Sequence, residues 1–139
     1  MGTILCGVDR SPGAAAALAV ARELSRQLGA RLVIAHVAEG YRLPEGAESL
    51  TGIQARRGAT RLLDEVAREH SLGREVDHRA EVGEPAERLV TIAAEEGADL
   101  IIVGSRHQGR RRARLVSNLA AKLTSTTRRP VVVVPPAPG

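Results

Sequence analysis

The sequence predicts an α/β domain built on an open parallel sheet with helices on both faces. Three observations lead there. Apolar runs alternate with helix-period segments in the order β-α-β-α-β-α-β-α-β, and parallel neighbours need the crossovers that such helices provide. The runs LVIAHV, LIIV and VVVV are apolar without polar alternation, as strands covered on both sides must be. A length of 139 residues, 43% hydrophobic and 26% charged, fits one compact domain and leaves little room for two.

Taken in order, Thr3 to Val8 reads as a strand that ends at Asp9. Ser11-Pro12 follows, a capping hydroxyl with proline in the first helical position. The helix predicted from Pro12 to Leu28 places Ala14, Ala17, Leu18, Ala21, Leu24 and Leu28 on one face, and Gly29 stops it. Arg31 to Val37 is the second strand, and the polar, glycine-bearing stretch 38–52 is the longest loop. A helix over about 53–70 turns Ala55, Ala59, Leu62, Leu63, Val66 and Ala67 to one side. Glu75 to Val82 alternates and predicts a third strand. Gly83-Glu84-Pro85 opens a helix striped by Ala86, Leu89, Val90 and Ala93. Leu100 to Val103 is a continuous apolar strand running into Gly104. The last helix falls within 113–126 and the last strand is Val131 to Val134. Residues 1–135 form a single domain without internal repeats, and 136–139 a mobile tail.

Composition narrows the functions. The chain has no Trp or Phe and a single Tyr, Tyr41, so a reader of nucleic acid that stacks bases on aromatic platforms is disfavoured. Its 20 basic residues are arginines except Lys122, and the net charge of +4 inclines it modestly towards anions. No run approaches the roughly 18–20 apolar residues of a membrane span. The start, MGTILCGVDRS, lacks the basic region of a secretory signal, so a cytoplasmic protein is expected. Cys6, the only cysteine, sits in an apolar run and reads as an inert buried thiol.

In an open α/β sheet the ligand lies beyond the carboxyl ends of the strands, where the strand order reverses. Those ends carry Val8, Asp9, Arg10 and Ser11 after the first strand, and His36, Val37 and Ala38 after the second. After the fourth come Gly104-Ser105-Arg106-His107-Gln108-Gly109 and the basic run Arg110, Arg111, Arg112 and Arg114. This loop has two readings, a cradle of backbone N–H groups for phosphate or a plain strand-to-helix turn with solvated arginines. Asp9 likewise reads either as a site carboxylate or as a cap on the first helix. No G-x-x-x-x-G-K-[S/T] and no G-x-G-x-x-G after the first strand occurs, which excludes a P-loop and argues against an ordinary dinucleotide domain. His36, His70 and His78 have no partner at metal-ligand spacing, so no metal site is expected. G-x-S-x-G is missing, and no catalytic set is assigned.

The segments ILCGVDRS, LGARLVIAHV, VGEPAERLVTIAAEEGADLIIVGSRHQG and RRPVVVVP together resemble the universal stress proteins, over nearly the whole chain. The resemblance implies a Rossmann-like, adenine-nucleotide-binding α/β fold with sheet order 3-2-1-4-5, and a homodimer paired through Val131–Val134. It implies a non-catalytic stress-response or signalling module that takes ATP, AMP or a related nucleotide, with Mg2+ accompanying ATP. Weak nucleotide hydrolysis in the same pocket, and polyanion binding through Arg106 to Arg114, are the alternatives. By the same resemblance Asp9 contacts the adenosine, Val37 lines the adenine pocket, and Val103, Gly104, Arg106, His107, Gly109, Ser117 and Asn118 attend the phosphates. The family's G-x2-G-x9-G-[S/T] keeps its first glycine as Gly104, while His107, Ser117 and Asn118 stand at its other three positions. His107 adds bulk where glycine lets the backbone approach. Ser117 and Asn118 supply donors, and the arginines supply charge.

Overall fold

The computed structural model describes residues 2–39, 50–105 and 118–137. The elements run β1 (Thr3–Gly7), α1 (Pro12–Leu28), β2 (Arg31–Glu39), α2 (Leu50–Glu69), β3 (Asp77–Gly83), α3 (Pro85–Glu96), β4 (Leu100–Gly104), α4 (Asn118–Thr126) and β5 (Val131–Val134). The five strands form one sheet in the order β3-β2-β1-β4-β5, and every pair is parallel. The fold class and the strand order are those expected.

Each helix has a local cause. Ser11 is extended and its side chain accepts from the Ala14 N–H, with proline behind it. Gly29 ends α1 at φ 61, and Gly97 ends α3 at φ 63, the left-handed turn that glycine makes without a Cβ penalty. The cap of α3 is Glu84, whose carboxylate accepts from the N–H groups of Ala86 at 3.2 Å and Glu87 at 2.8 Å.

Boundaries shift where periodicity outruns geometry. β2 continues to Glu39, past the expected Val37, because β3 pairs with it as far as Glu39↔Gly83. β3 begins at Asp77 rather than Glu75, since Val76 N–H closes a turn onto the Gly73 carbonyl. Helix α2 starts at Leu50, three residues before the expected 53. Of the span 113–126, the described part is the helix Asn118–Thr126.

Two apolar layers sandwich the sheet. On one face Ile4, Cys6, Leu32, Ile34 and Ile102 meet Ala17, Leu18 and Ala21 of α1 and Leu62, Leu63 and Val66 of α2. On the other, Leu5, Val33, Ala35, Val37, Ile101 and Val103 meet Ala86, Leu89, Ile92 and Ala93 of α3 and Ala120 and Leu123 of α4. Alternate residues of the strands serve opposite layers, so no polar face remains and the continuous apolar runs are explained. Leu28 shares the angular position of the α1 stripe yet is 43% exposed, because the last turn carries it beyond the packed layer. Cys6 lies in the central strand with 0% exposure, and burial pushes its thiol up to about 12.

Candidate functional site

The chain leaves β1 at Val8. The Val8 N–H donates to the Ala35 carbonyl at 2.8 Å, extending the ladder one residue past the strand. His36 Nδ1 lies 2.7 Å from the Val8 carbonyl oxygen. A carbonyl only accepts, so this ring nitrogen carries the proton. Two residues beyond Asp9, the Ser11 N–H donates to Asp9 Oδ1 at 2.7 Å. That bond is an Asx-turn, in which the carboxylate folds the backbone ahead of the helix. Ser11 then caps α1. Asp9 therefore shapes the entry into the helix without being the cap.

Across from this turn stands the end of β4. A Cβ on Gly104 would sit 2.7 Å from the carbonyl carbon of Gly13 and 2.8 Å from its oxygen. Strand and helix backbones touch here, and only glycine fits. Gly104 thus has a packing reason of its own, independent of any phosphate. The next residue, Ser105, is buried and donates its N–H to the Val134 carbonyl at 2.8 Å.

Between the two lies a cleft. Val8, Asp9 and Ser11 line it from the β1 end, Ala35, His36 and Val37 from β2, and Val103 and Gly104 from β4. Pro85 and Leu89 of α3 and Leu119 of α4 complete the wall. Its enclosed part is about 40 Å³. The walls are chiefly apolar, with the Asp9 carboxylate and the Ser11 hydroxyl as polar groups at one side.

Of the residues singled out in the sequence, Asp9, Val37, Val103 and Gly104 come together at this cleft. Arg106, His107, Gly109, the run Arg110 to Arg114 and Ser117 lie outside the described residues, and Asn118 enters as the first residue of α4. The sequence reading placed His36 at the end of the second strand without giving it a role, and missed Ala35, Pro85, Leu89 and Leu119 as lining residues. Ala35 was within reach, being two residues before Val37 on the same face of a strand. Leu89 was read only as part of a core stripe, and nothing local points to Leu119.

Beside the cleft, the Glu84 carboxylate faces the Lys122 ammonium at 3.6 Å. Partial burial alone would raise its pKa, but the N–H groups of Glu87 and Ala86 and the charge of Lys122 outweigh it, so the group is held below its ordinary value. A charged cap thereby ties the first turn of α3 to α4.

A second cavity, about 310 Å³, opens on the other side of the Asp9–Ser11 turn, between α1 and α2. Leu18 and Val66 line it with Glu69 and His70, and an Arg10–Glu65 ion pair at 2.8 Å stands at the same groove. Helix periodicity carries no sign of this gap, because it gives the face of each helix and not the distance between them.

The profile of the universal stress protein family matches residues 1–135. The chain belongs to the universal stress protein family. Among solved structures, a universal stress protein family member from Burkholderia pseudomallei is 31% identical, with a TM-score of 0.69, covering 97% of this chain and 96% of that one. The universal stress protein UspA from Lactobacillus plantarum is 16% identical with a TM-score of 0.78, over 96% and 97% of the two chains. A universal stress protein from Archaeoglobus fulgidus, solved in complex with dAMP, is 21% identical with a TM-score of 0.60, over 96% and 98%. No curated protein matches the chain. Among the described residues no helix is long and apolar enough to cross a membrane.

Proposed function

We propose that this universal stress protein is a non-catalytic stress-response or signalling module that binds an adenine nucleotide in the cleft at the ends of β1, β2 and β4. One observation carries the reading: Asp9, Val37, Val103 and Gly104 line a single cleft at the reversal of strand order, with β1 flanked by β2 and β4. In sheets of this type that is where ligands bind. Ala35, Val37, Leu89 and Val103 offer an apolar wall to a flat base. The Asp9 carboxylate accepts from a ribose hydroxyl or a base amine, and Gly104, Ser117 and Asn118 attend the phosphates.

The ligand class is drawn from proteins that share the fold. One is in complex with dAMP and another universal stress protein is in complex with cAMP. Mg2+ accompanies the ligand only if that ligand is ATP. The functional unit is a homodimer, formed through the apolar edge strand β5.

Titration calorimetry with ATP, AMP and cAMP tests the reading. Wild type binds at least one of them, and Asp9→Ala weakens it by about 1–3 kcal/mol, the cost of one charge-assisted hydrogen bond. Absence of heat with all three nucleotides overturns it. Phosphate release that scales with protein and disappears in Asp9→Ala replaces the non-catalytic reading with hydrolysis.

A further inference from the structure

We propose that His36 is a positioning residue of the cleft, which aims the Asp9 carboxylate by holding the peptide that precedes it. The inference rests on the nucleotide reading for its functional consequence and on geometry for everything else. Val8 is the last residue before Asp9, and β2 grips it from both of its polar groups. Its N–H goes to the Ala35 carbonyl at 2.8 Å, and its carbonyl receives His36 Nδ1 at 2.7 Å. The Val8 carbonyl belongs to the same rigid peptide plane as the Asp9 N–H. Fixing that oxygen therefore fixes the plane from which the Asp9 side chain departs. On the far side of Asp9, its own Oδ1 receives the Ser11 N–H at 2.7 Å, so the aspartate is held between an imidazole and a helix cap.

The choice of histidine is informative. His36 is half-buried and stands between Ala35 and Val37 in β2, so its ring leaves the strand on the face opposite theirs. Position 36 spends its side chain on a backbone acceptor of the neighbouring loop. The Nδ1 proton is present in both the neutral δ tautomer and the imidazolium, so the bond survives a change of charge on the ring. The device is a strut and not a pH switch.

Three variants test it. Asn places an amide nitrogen where Nδ1 stands, Gln places one near Nε2, and Leu removes the donor. The direct readout needs no ligand: the amide proton resonance of Ser11, displaced by its bond to Asp9, followed by NMR in the free protein. His36→Asn retains the wild-type resonance and nucleotide affinity. His36→Leu and His36→Gln lose the displacement and bind AMP or ATP about tenfold more weakly, the factor equivalent to one hydrogen bond, with folding intact by circular dichroism. Should His36→Leu fail to fold, the Asn and Gln pair decides the matter alone. A Ser11 resonance that stays put in Leu or Gln, or an Asn variant that falls with the others, overturns the positioning role. A wild type that binds no adenine nucleotide, with a Ser11 resonance that still follows the donor, overturns the nucleotide reading and upholds the strut.

Discussion

The two edges of the sheet are made of opposite material. β3, at one edge, carries Asp77, His78, Arg79 and Glu81, whereas β5, at the other, is four valines. Asp77 and Arg79 are engaged with β2 and α3. Arg31 of β2 bonds Asp77 at 2.7 Å and Glu96 at 2.9 Å, and Arg79 bonds Glu95 at 2.6 Å and Glu96 at 2.7 Å. Charge on an edge strand is a standard defence against pairing. On β5, the Ile101 N–H goes to the Pro130 carbonyl and the Ser105 N–H to that of Val134. Alternate residues of a parallel strand face opposite neighbours, so Val131 and Val133 turn their backbone groups away from β4. The lesson is that one edge of the sheet carries charge while the other presents the outward backbone groups of an all-valine strand.

The largest test of this contrast is Val133→Pro. Proline removes an outward N–H while sparing the ladder to β4. The proposed dimer is then lost, and sedimentation at tens of micromolar (on the order of a modest interface's Kd) finds a folded monomer. A variant that stays dimeric, or a wild type that is monomeric, ends the idea that the apolar edge is the interface.

Next in size is Glu96→Gln, which acts at the charged edge without touching assembly. Glu96 joins Arg31 to Arg79, and its loss costs about 1–2 kcal/mol in urea denaturation. The same group sets a pH dependence. Hydrogen bonds from Arg79 and Arg31 hold its carboxyl below the ordinary 4.5. The unfolded chain therefore takes up the proton first, so this stability is complete above about pH 4.5 and is lost as pH falls through the folded value. Wild type should lose stability more steeply than the variant in that acid range. Parallel slopes would remove Glu96 from the account.

The smallest effect belongs to His78→Gln. Its Nδ1 is 3.8 Å from Asp64, and both side chains are open to solvent. Stability at neutral pH should change by no more than ~0.5 kcal/mol, and a larger loss would mean that the outer face of β3 contributes more than shielding.

Much of the fold was legible because its strands are buried on both faces. LVIAHV, LIIV and VVVV have no polar side to hide, and Ser11-Pro12 and Gly29 punctuate α1 as clearly as any cap and stop. The strand order came from resemblance, since alternation alone leaves several parallel orders open. Glu75 and Val76 misled because an alternating pattern continues into a turn that only the Gly73 carbonyl explains. Leu28 misled because periodicity gives an angle around a helix and not its reach along the layer. At the cleft, Asp9, Val37 and Gly104 were visible from their places at strand ends. His36 was noted and passed over as a residue ending a buried strand. Its bond to Val8 joins two strands 28 residues apart in sequence, and no local spacing encodes such a meeting.

Cys6 has a practical consequence. It is the sole cysteine of the chain, and it is fully enclosed in the strand with neighbours on both sides. A thiol held near pKa 12 by burial presents almost no thiolate to an alkylating reagent. Labelling must then wait for the centre of the sheet to open, an event drawn from the most costly end of local unfolding. One atom of sulfur thus serves as an internal clock: the rate at which the native protein takes up a thiol probe counts the moments when the whole sandwich comes apart.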